Sequence, residues 1–356
     1  MPTDIPPSSK KNDNELHFAF SGDSNFSIAI GLAIFSLFHH LQSDKKCHIH
    51  ILGDHISQNI LADITKITNH YNGILEYHEL KNYLPAALGT DRFPSVAYAR
   101  FLLPDILPQG VDKVFYADAD VMICDDLSVL WDIEMGDNLL AAVPDAGVRT
   151  RRYRHVLDNF AKALGKSRDN IQYFYSGQLL FNLEKWRKEK PHLVILEEAR
   201  KGKREFPDQD LMNAICYGKI MELPQQYCCV PHLNHINNLY NKKTPSTSQK
   251  LVHFATASKP FILYPPLEPE YRRFYKLWMS SPWRNRIPYL PHKLKSGIAH
   301  GSFLCKTIAG ATTLIIRIPY TLRIIWFLLS LLPSKTRIRL FSLFDWSPPE
   351  AEKQDK

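Results

Sequence analysis

The sequence predicts an α/β fold built on a mixed, mostly parallel sheet. Between residues 16 and 77, short apolar runs alternate with segments of helical periodicity, an order typical of nucleotide-binding sheets. Residues 114–117 form an apolar run of the kind found in strands that are buried on both faces of a parallel sheet. The sequence contains neither G-x-G-x-x-G nor a Walker lysine loop, so dinucleotide dehydrogenases and P-loop enzymes are poorly supported.

The same patterns place the individual elements. In the segment 26–41, Ile30, Ala33, Ile34 and Leu37 recur at helical spacing, and Asn72-Gly73 is a helix-ending signal. Helices are predicted at 26–41, 58–71 and 96–102, from residue 184, and from the acidic segment 207–210. Strands are predicted at 16–20, 47–52, 74–77, 114–117 and 139–143, after the aromatic turn at 173–175, and at 251–254.

Length, net charge and cysteine content narrow the possible domain organisation, binding partners and metal sites. The 356 residues allow one large α/β domain with an appendage, or two domains. The net charge of +8 indicates an anionic partner such as a nucleotide or a lipid headgroup, and no nucleic-acid-binding motif accompanies it. The six cysteines include the pair Cys228-Cys229 but no C-x-x-C spacing, which argues against a zinc site built on cysteines and against a disulfide framework.

The two ends of the chain differ in character from the middle. Residues 1–15 are polar and lack an apolar signal region, so we expect a disordered N-terminus. In residues 264–347, basic side chains stand beside aromatic ones, and the charge-free runs at 307–316 and 324–334 reach only about half of a membrane span. This composition favours helices that lie on an anionic membrane surface over a helical lobe packed on the main domain. The predicted division is a main domain at 16–263, an acceptor- and membrane-associated region at 264–347 and a disordered tail at 348–356.

Asp118 and Asp120 follow the apolar run 114–117. Residues i and i+2 of an extended strand point to the same side, so the two carboxylates can share one cation. Open α/β sheets bind ligands beyond the carboxyl ends of their strands, where this pair falls. Two hard oxygen ligands suit Mg²⁺ or Mn²⁺, and such an ion can neutralise a departing diphosphate. A solvated turn is the alternative explanation of the isolated triplet.

Other polar residues are candidates for the same edge of the sheet. Asp23 and Asn25 can hydrogen-bond a uracil or ribose, or cap a turn. Arg100 has the fork needed to clamp a pyrophosphate, although a lone arginine is usually a surface charge. His253 ends a strand, and an imidazole that completes an Asp/Asp site favours Mn²⁺. Lys259 can meet a phosphate as a point charge.

Two charged segments have simpler explanations. At 207–210, the helix dipole favours carboxylates, so capping explains one of the two aspartates but not the glutamine between them. The basic segment 149–154 is predicted to be a solvated face rather than a contact with an anionic acceptor.

Taken in order, these residues resemble glycosyltransferase family 8, the retaining UDP-sugar-dependent transferases, and among them the bacterial lipopolysaccharide galactosyl- and glucosyltransferases. The resemblance runs from about residue 16 to residue 261. It rests on Phe20-Ser-Gly-Asp-Ser-Asn25, Tyr98-Ala-Arg-Phe101, Tyr116-Ala-Asp-Ala-Asp120, Tyr175-Ser-Gly-Gln178, Leu180-Phe-Asn-Leu183 with Trp186, Pro207-Asp-Gln-Asp210, and His253 with Lys259-Pro260.

The resemblance implies a GT-A nucleotide-diphospho-sugar domain and a role for each matched residue. The implied ligands of Mn²⁺ (or Mg²⁺) are Asp118, Asp120 and His253. The implied nucleotide contacts are Ser21, Asp23 and Asn25, with Lys259 on the diphosphate and Thr256 in the adjoining turn. The implied donor-sugar residues are Arg100, Asp145, Ser176, Gly177, Asp208 and Gln209, of which Gln209, Asp208 and Asp145 are the catalytic candidates.

Three positions depart from the family pattern. Ser176 stands where asparagine is usual, Thr256 where glycine is usual, and Phe261 where tryptophan is usual. The first change shortens a side chain that faces the donor sugar. The second restricts how closely the backbone approaches the diphosphate, because threonine lacks the freedom of glycine. Both changes bear on donor identity and activity.

The resemblance implies transfer of glucose or galactose from a UDP-sugar to a lipopolysaccharide or lipooligosaccharide core. It also implies a cytoplasmic enzyme, peripheral on the inner membrane. One alternative is a haloacid-dehalogenase-type phosphatase, which also has an apolar strand ending in Asp-x-Asp; here Met122 stands where that class needs threonine or valine. The other is a non-catalytic nucleotide-sugar- or glycan-binding relative.

Overall fold

A computed structural model of the chain describes residues 14–83, 95–201, 204–231, 249–255, 260 and 269–286. The strands are β1 Glu15–Asp23, β2 Lys46–Asp54, β3 Ile74–Glu79, β4 Lys113–Asp118, β5 Val121–Ile123, β6 Leu140–Pro144, β7 Phe174–Asn182, β8 Ile220–Glu222 and β9 Leu251–His253. The α-helices are α1 Ser27–His40, α2 Gln58–His70, α3 Leu103–Ile106, α4 Arg154–Ala163, α5 Leu183–Glu189, α6 Pro191–Ala199, α7 Pro207–Ile215 and α8 Pro269–Ser280.

A seven-stranded sheet in the order β3-β2-β1-β4-β7-β6-β8 forms the centre of the fold. The β1–β2, β2–β3, β1–β4 and β6–β8 pairs are parallel, whereas β7 runs antiparallel to both β4 and β6. The prediction of a mixed, mostly parallel sheet is therefore confirmed. Because β1 and β4 pair in parallel, Asp118 at the carboxyl end of β4 stands opposite Ser21, two residues before the end of β1.

Helices cover both faces of this sheet. Phe18 and Phe20 of β1 share one apolar cluster with α1 and α2, while Ala19 shares another with α3 and α5–α7. Most positions of α1 are buried, which explains why its sequence is apolar on nearly all sides. Ser36 of α1 accepts a hydrogen bond from the Ile123 backbone at 2.9 Å and so fixes β5 beside the helix.

Three element predictions need correction. The strand predicted at 16–20 is longer, because β1 stays paired with β2 from Glu15 through Asp23. The turn predicted at 173–175 is wrong for its last two residues, since β7 already begins at Phe174. The helix expected at 96–102 is a 3₁₀ helix, Ser95–Leu102. This tighter segment leads into α3 and places Arg100 in the interior.

The first part of the C-terminal region packs on the main domain. Tyr271, Phe274 and Trp278 of α8 are buried in the cluster that also contains α1. The Trp283 ring covers Gly31 of α1 so closely that an added Cβ would lie 2.4 Å from it. Across the described ranges, no helix combines the length and apolar character needed to cross a membrane. The predictions for residues 1–13 and 287–356 lie outside the described residues.

Candidate active site

Three metal-ligand side chains meet at the carboxyl edge of the sheet. His253 Nε2 lies 3.3 Å from Asp120 Oδ1 and 3.7 Å from Asp118 Oδ2. Ligand atoms in adjacent octahedral positions, each about 2.1 Å from a metal ion, are about 3.0 Å apart. The separations are therefore close to those that one divalent cation would impose.

Strand pairing explains how residues so distant in sequence come together. β5 follows Asp120 directly and pairs antiparallel with β9, which sets Val121 opposite His253. The Phe254 N–H donates to the Asp120 carbonyl at 2.9 Å and closes the same ladder. The spacing between the carboxylates and the imidazole is thus fixed by backbone hydrogen bonds.

The surroundings of His253 fit a metal ligand. The side chain is buried, and neither ring nitrogen has a hydrogen-bond partner within the described part of the chain. Buried polar groups without partners are uncommon and call for an explanation. A Cβ on Gly177 would lie 2.6 Å from His253 Cε1 and 2.7 Å from Asp118 Oδ2, so only glycine lets these two side chains come this close to β7.

One oxygen of Asp118 is held by the protein. Asp118 Oδ1 accepts from Tyr116 Oη at 2.7 Å and pairs with Arg100 Nη2 at 2.9 Å. Tyr116 Oη is in turn 2.6 Å from Ser21 Oγ. The other oxygen, Oδ2, is the one nearer His253. Burial raises the pKa of Asp118, and the positive Arg100 opposes that rise.

Arg100 joins the metal-ligand group to a second carboxylate. Its Nη1 lies 3.4 Å from Asp208 Oδ2 and also donates to the Ser176 carbonyl, while Nε donates to the Ala97 carbonyl. Burial alone would lower the pKa of Arg100, but the carboxylates, Asp118 foremost, raise it above its ordinary value. Arg100 was predicted to clamp a pyrophosphate. In the structure, its N–H groups mostly contact oxygens of the protein instead.

Asp208 and Gln209 lie at the start of α7 and face the sheet. Ser176 Oγ donates to Asp208 Oδ2 at 2.7 Å, and the Ser176 N–H donates to Gln209 Oε1 at 3.2 Å. Gln209 Nε2 donates to Asp145 Oδ2 at 2.9 Å. Burial raises the pKa of Asp145 above its usual range. The expected donor-sugar residues of β6, β7 and α7 are therefore one connected hydrogen-bonded group.

The second aspartate of the 207–210 segment has a structural role. Asp210 accepts from the Phe206 backbone at 3.1 Å and from the Tyr173 hydroxyl. It therefore satisfies the start of α7, as the capping explanation proposed for one of the two aspartates. Asp208 is the member that faces the site.

Asp23 and Asn25 adopt the turn-capping arrangement. Asp23 Oδ1 accepts from the backbone of Asn25 at 2.8 Å and of Phe26 at 3.3 Å, and Asn25 Nδ2 donates to Asp23 Oδ2. Their position at the carboxyl end of β1 and just after it puts them on the same edge as Asp118. Thr256 and Lys259, the remaining predicted donor contacts, lie outside the described residues.

Two tyrosines that were not predicted as site residues contact the predicted ones. Tyr116 was assigned only to an apolar strand, yet its hydroxyl links Ser21 to Asp118. Tyr175, the neighbour of Ser176 in β7, hydrogen-bonds Asp145. A hydroxyl at the carboxyl end of a buried strand, two residues before Asp118, was the available signal for the first, because alternate residues share a face.

This architecture is that of the GT-A glycosyltransferases. The chain belongs to glycosyl transferase family 8, whose model matches residues 17–261. Because the chain belongs to this family, we no longer consider the haloacid-dehalogenase-type phosphatase.

The chain shares about 25% sequence identity with several curated proteins. The chain is 25% identical to general stress protein A of Bacillus subtilis over 269 residues, covering 70% of this chain and 89% of that protein. It is 25% identical to a lipopolysaccharide 1,2-glucosyltransferase of Escherichia coli over 309 residues, covering 82% of this chain and 87% of that protein. The crystal structure of galactosyltransferase LgtC with donor and acceptor sugar analogs is similar in fold, with a TM-score of 0.62 and 23% identity over 76% of this chain and 99% of that chain.

Proposed function

We propose that this protein transfers glucose or galactose from a UDP-sugar to a lipopolysaccharide or lipooligosaccharide core acceptor, with retention at the anomeric carbon. The observation that carries the proposal is the convergence of Asp118, Asp120 and His253 at the carboxyl edge of the sheet. Family membership supports sugar transfer, and the name of the Escherichia coli relative supports the acceptor class.

The three converging residues are the proposed ligands of Mn²⁺ or Mg²⁺. Two carboxylates with one imidazole form a mixed oxygen and nitrogen set, which favours Mn²⁺. When bound, such an ion supplies the Lewis acid that stabilises a departing diphosphate. Tyr116 and Arg100 hold one oxygen of Asp118, so the other is directed toward His253.

The nucleotide half of the donor is assigned to the carboxyl end of β1 with the residues just after it, and to residues 256–259, which follow β9 in the sequence. Ser21, Asp23 and Asn25 contact the uridine in this proposal, and Lys259 pairs with the diphosphate beside Thr256. The described part of this surface supports the assignment by position, because Ser21 and Asp118 are register partners on adjacent strands.

The sugar half is assigned to the group that links Arg100, Ser176, Asp208, Gln209 and Asp145. Gly177, which follows Ser176 on β7, has no side chain to push His253 and Asp118 away from this group. Asp208 orients the sugar hydroxyls, and its own orientation is set by Ser176 and Arg100. Fixed groups of this kind contribute to catalysis by positioning the donor.

Retention is proposed to proceed by attack on the face that UDP vacates, with the leaving phosphate as base. A double displacement needs a nucleophile on the opposite face, and an amide such as Gln209 is a poor one. Gln209 is also engaged at both ends, by Ser176 and by Asp145. Mass spectrometry of an Asp208→Asn variant incubated with donor tests this step, because a trapped covalent glycosyl-enzyme would overturn front-face attack.

The experiment that tests the function is UDP release from UDP-glucose and UDP-galactose, with and without a lipooligosaccharide core acceptor. We expect activity that requires Mn²⁺ and is lost in Asp120→Ala. The matched control is Asp137→Ala, since that side chain is 97% exposed and pairs only at the surface with Lys185. Turnover that survives both chelation and Asp120→Ala would contradict the proposal, and donor binding without turnover would favour the non-catalytic alternative.

Membrane association on the cytoplasmic face is proposed for the basic and aromatic residues beyond 286. Each basic side chain near an anionic surface contributes about 1 kcal/mol. Replacing Lys335 and Arg337 by serine should therefore weaken binding to phosphatidylserine-containing vesicles about 30-fold in a sedimentation assay. The control replaces the exposed Lys66 and Lys81, and equal loss in both variants would remove the assignment.

A further inference from the structure

Six metal-ligand side chains share one face of the first three strands, away from the candidate active site. They occupy alternate positions, which point to the same side of a sheet. Strand register sets His17 of β1 opposite His48 of β2, and His50 of β2 opposite Glu76 of β3. The histidine cluster, as we name it, consists of Glu15, His17, His48, His50, Glu76 and His78.

The imidazole rings are stacked in the interior. His17 and His48 have ring centroids 4.5 Å apart, His17 and His50 are 5.4 Å apart, and His50 and His78 are 5.7 Å apart. His50 is fully buried, and His17 is 7% exposed. Valine or isoleucine would fill these strand positions without buried polar atoms, so packing does not account for this choice of residues.

Three side chains at one end of the cluster place their ligand atoms within 4.8 Å of one another. Glu15 Oε2 lies 3.6 Å from His17 Nε2, and Glu15 Oε1 lies 3.5 Å from His48 Nε2. Tetrahedral ligands at 2.0–2.1 Å from zinc are about 3.3–3.4 Å apart. Both separations from Glu15 are close to this spacing, and rotation of the two stacked imidazoles about their side-chain bonds would turn their Nε2 atoms toward one ion.

The far side of the His17 ring has the partner that a metal-bound histidine needs, because His17 Nδ1 is 3.1 Å from His50 Nε2. An outer partner of this kind fixes the tautomer and leaves Nε2 for the metal. His48 Nδ1 faces Glu76 Oε1 at 3.8 Å, which is too long for a hydrogen bond. Within the described residues, neither nitrogen of His48 has a hydrogen-bond partner.

The protonation state agrees with this geometry. Burial, followed by the neighbouring His48, lowers the pKa of His17 to about 4, and burial lowers the pKa of His50 to about 2. Both rings are therefore neutral at pH 7, so a metal ion would not have to displace a proton from an imidazolium.

We propose that Glu15, His17 and His48 bind a zinc ion that cross-links β1 and β2. Two imidazoles and one carboxylate suit Zn²⁺ better than Mg²⁺ or Ca²⁺. The site lies toward the amino ends of the strands, because His17 precedes Ser21 by four residues, or about 13 Å along the strand. It is therefore separate from the proposed sugar-transfer metal.

Calorimetric titration of the metal-stripped full chain with ZnCl₂ tests the proposal. A variant with Asp118→Ala and Asp120→Ala removes the sugar-transfer ligands, and we expect it to keep one tightly bound zinc. In that background, Glu15→Gln and His48→Gln should each weaken this binding at least ~10-fold. Exposed His70→Gln and Glu197→Gln are the matched controls.

Two further readouts keep the test independent of folding. Circular dichroism reports whether each metal-free variant is folded, and the Glu15 and His48 side chains, 30% and 12% exposed, tolerate exchange better than buried His17. The zinc-dependent rise in melting temperature should disappear in both variants. Unchanged titrations in folded Glu15→Gln and His48→Gln, or a zinc lost only with Asp118 and Asp120, would overturn the proposal.

Discussion

Gly177 gives the sharpest test of the proposed metal geometry. Its missing side chain is the space in which His253 and Asp118 approach each other. In Gly177→Ala, the new Cβ would start 2.6 Å from His253 Cε1 and 2.7 Å from Asp118 Oδ2. Ordinary contacts begin near 3.4 Å, so the two ligands must retreat by about 0.8 and about 0.7 Å.

The size of the expected effect follows from that displacement. A misplacement of about 1 Å in a reacting constellation costs roughly 100-fold in rate, so Gly177→Ala should lose about 100-fold in Mn²⁺-dependent UDP release. Overpacking should cost about 1–3 kcal/mol of stability. The defect should therefore appear in the rate and in Mn²⁺ affinity while the far-ultraviolet circular dichroism is retained.

Gly110→Ala is the control, because a Cβ there meets no atom within 4 Å. This variant should match the parent in rate, metal affinity and melting temperature. If Gly177→Ala binds Mn²⁺ and turns over like the parent, the spacing between His253 and Asp118 is not what catalysis depends on, and the metal assignment loses its geometric basis.

Three further outcomes follow from the same contacts. Tyr116→Phe removes the hydroxyl that orients Asp118, and should weaken Mn²⁺ binding about 10–100-fold in a titration; a shift below twofold would contradict that role. Arg100→Met leaves the buried Asp208 and the partly exposed Asp118 without their cation, and should cost about 3 kcal/mol in urea unfolding at pH 7, whereas a neutral result would mean that the two carboxylates do not depend on it. In chelator, the free energy of unfolding should fall between pH 6.5 and 4, because His17, with its pKa lowered to about 4, stays neutral in the folded state while the unfolded chain takes up a proton. The loss reaches at most about 3 kcal/mol from this group, and an equally steep loss in His17→Gln would refute the attribution.

The local part of the site could be predicted from the sequence. Asp118 and Asp120 follow a buried strand, and alternation along an extended backbone is a property of neighbouring residues. Their place at the carboxyl edge follows from the parallel β1–β4 pair. His253 was assigned by resemblance, because its approach depends on the β5–β9 register, which joins residues more than a hundred positions apart.

The contacts made by side chains were harder to predict. Arg100 was expected to face the ligand, but a 3₁₀ segment turns it into the interior between Asp118 and Asp208. From the sequence, Asp23 could either hydrogen-bond a nucleotide or cap a turn. The structure shows the capping contacts, with the backbone of Asn25 and Phe26. Residue type gives the chemistry of such groups, whereas their partners depend on the packing of segments that are far apart in the sequence.

The contacts of the aromatic residues after 268 were also not predictable from the sequence. Composition favoured a membrane surface, yet Phe274 and Trp278 of α8 are buried against the main domain. Amphipathic helices look alike in sequence whether they cover a protein or a membrane. The distinction comes from α1, whose glycine at position 31 accommodates the Trp283 ring.

In the proposed enzyme, Asp118, Asp120 and His253 together hold the divalent ion used with the sugar donor. Electron paramagnetic resonance of free Mn²⁺, titrated against the protein in the presence of UDP, measures this binding. We expect one Mn²⁺ bound per chain, lost in both Asp120→Asn and His253→Ala and retained in Asp137→Asn. Undiminished Mn²⁺ binding in folded Asp120→Asn and His253→Ala would contradict this assignment.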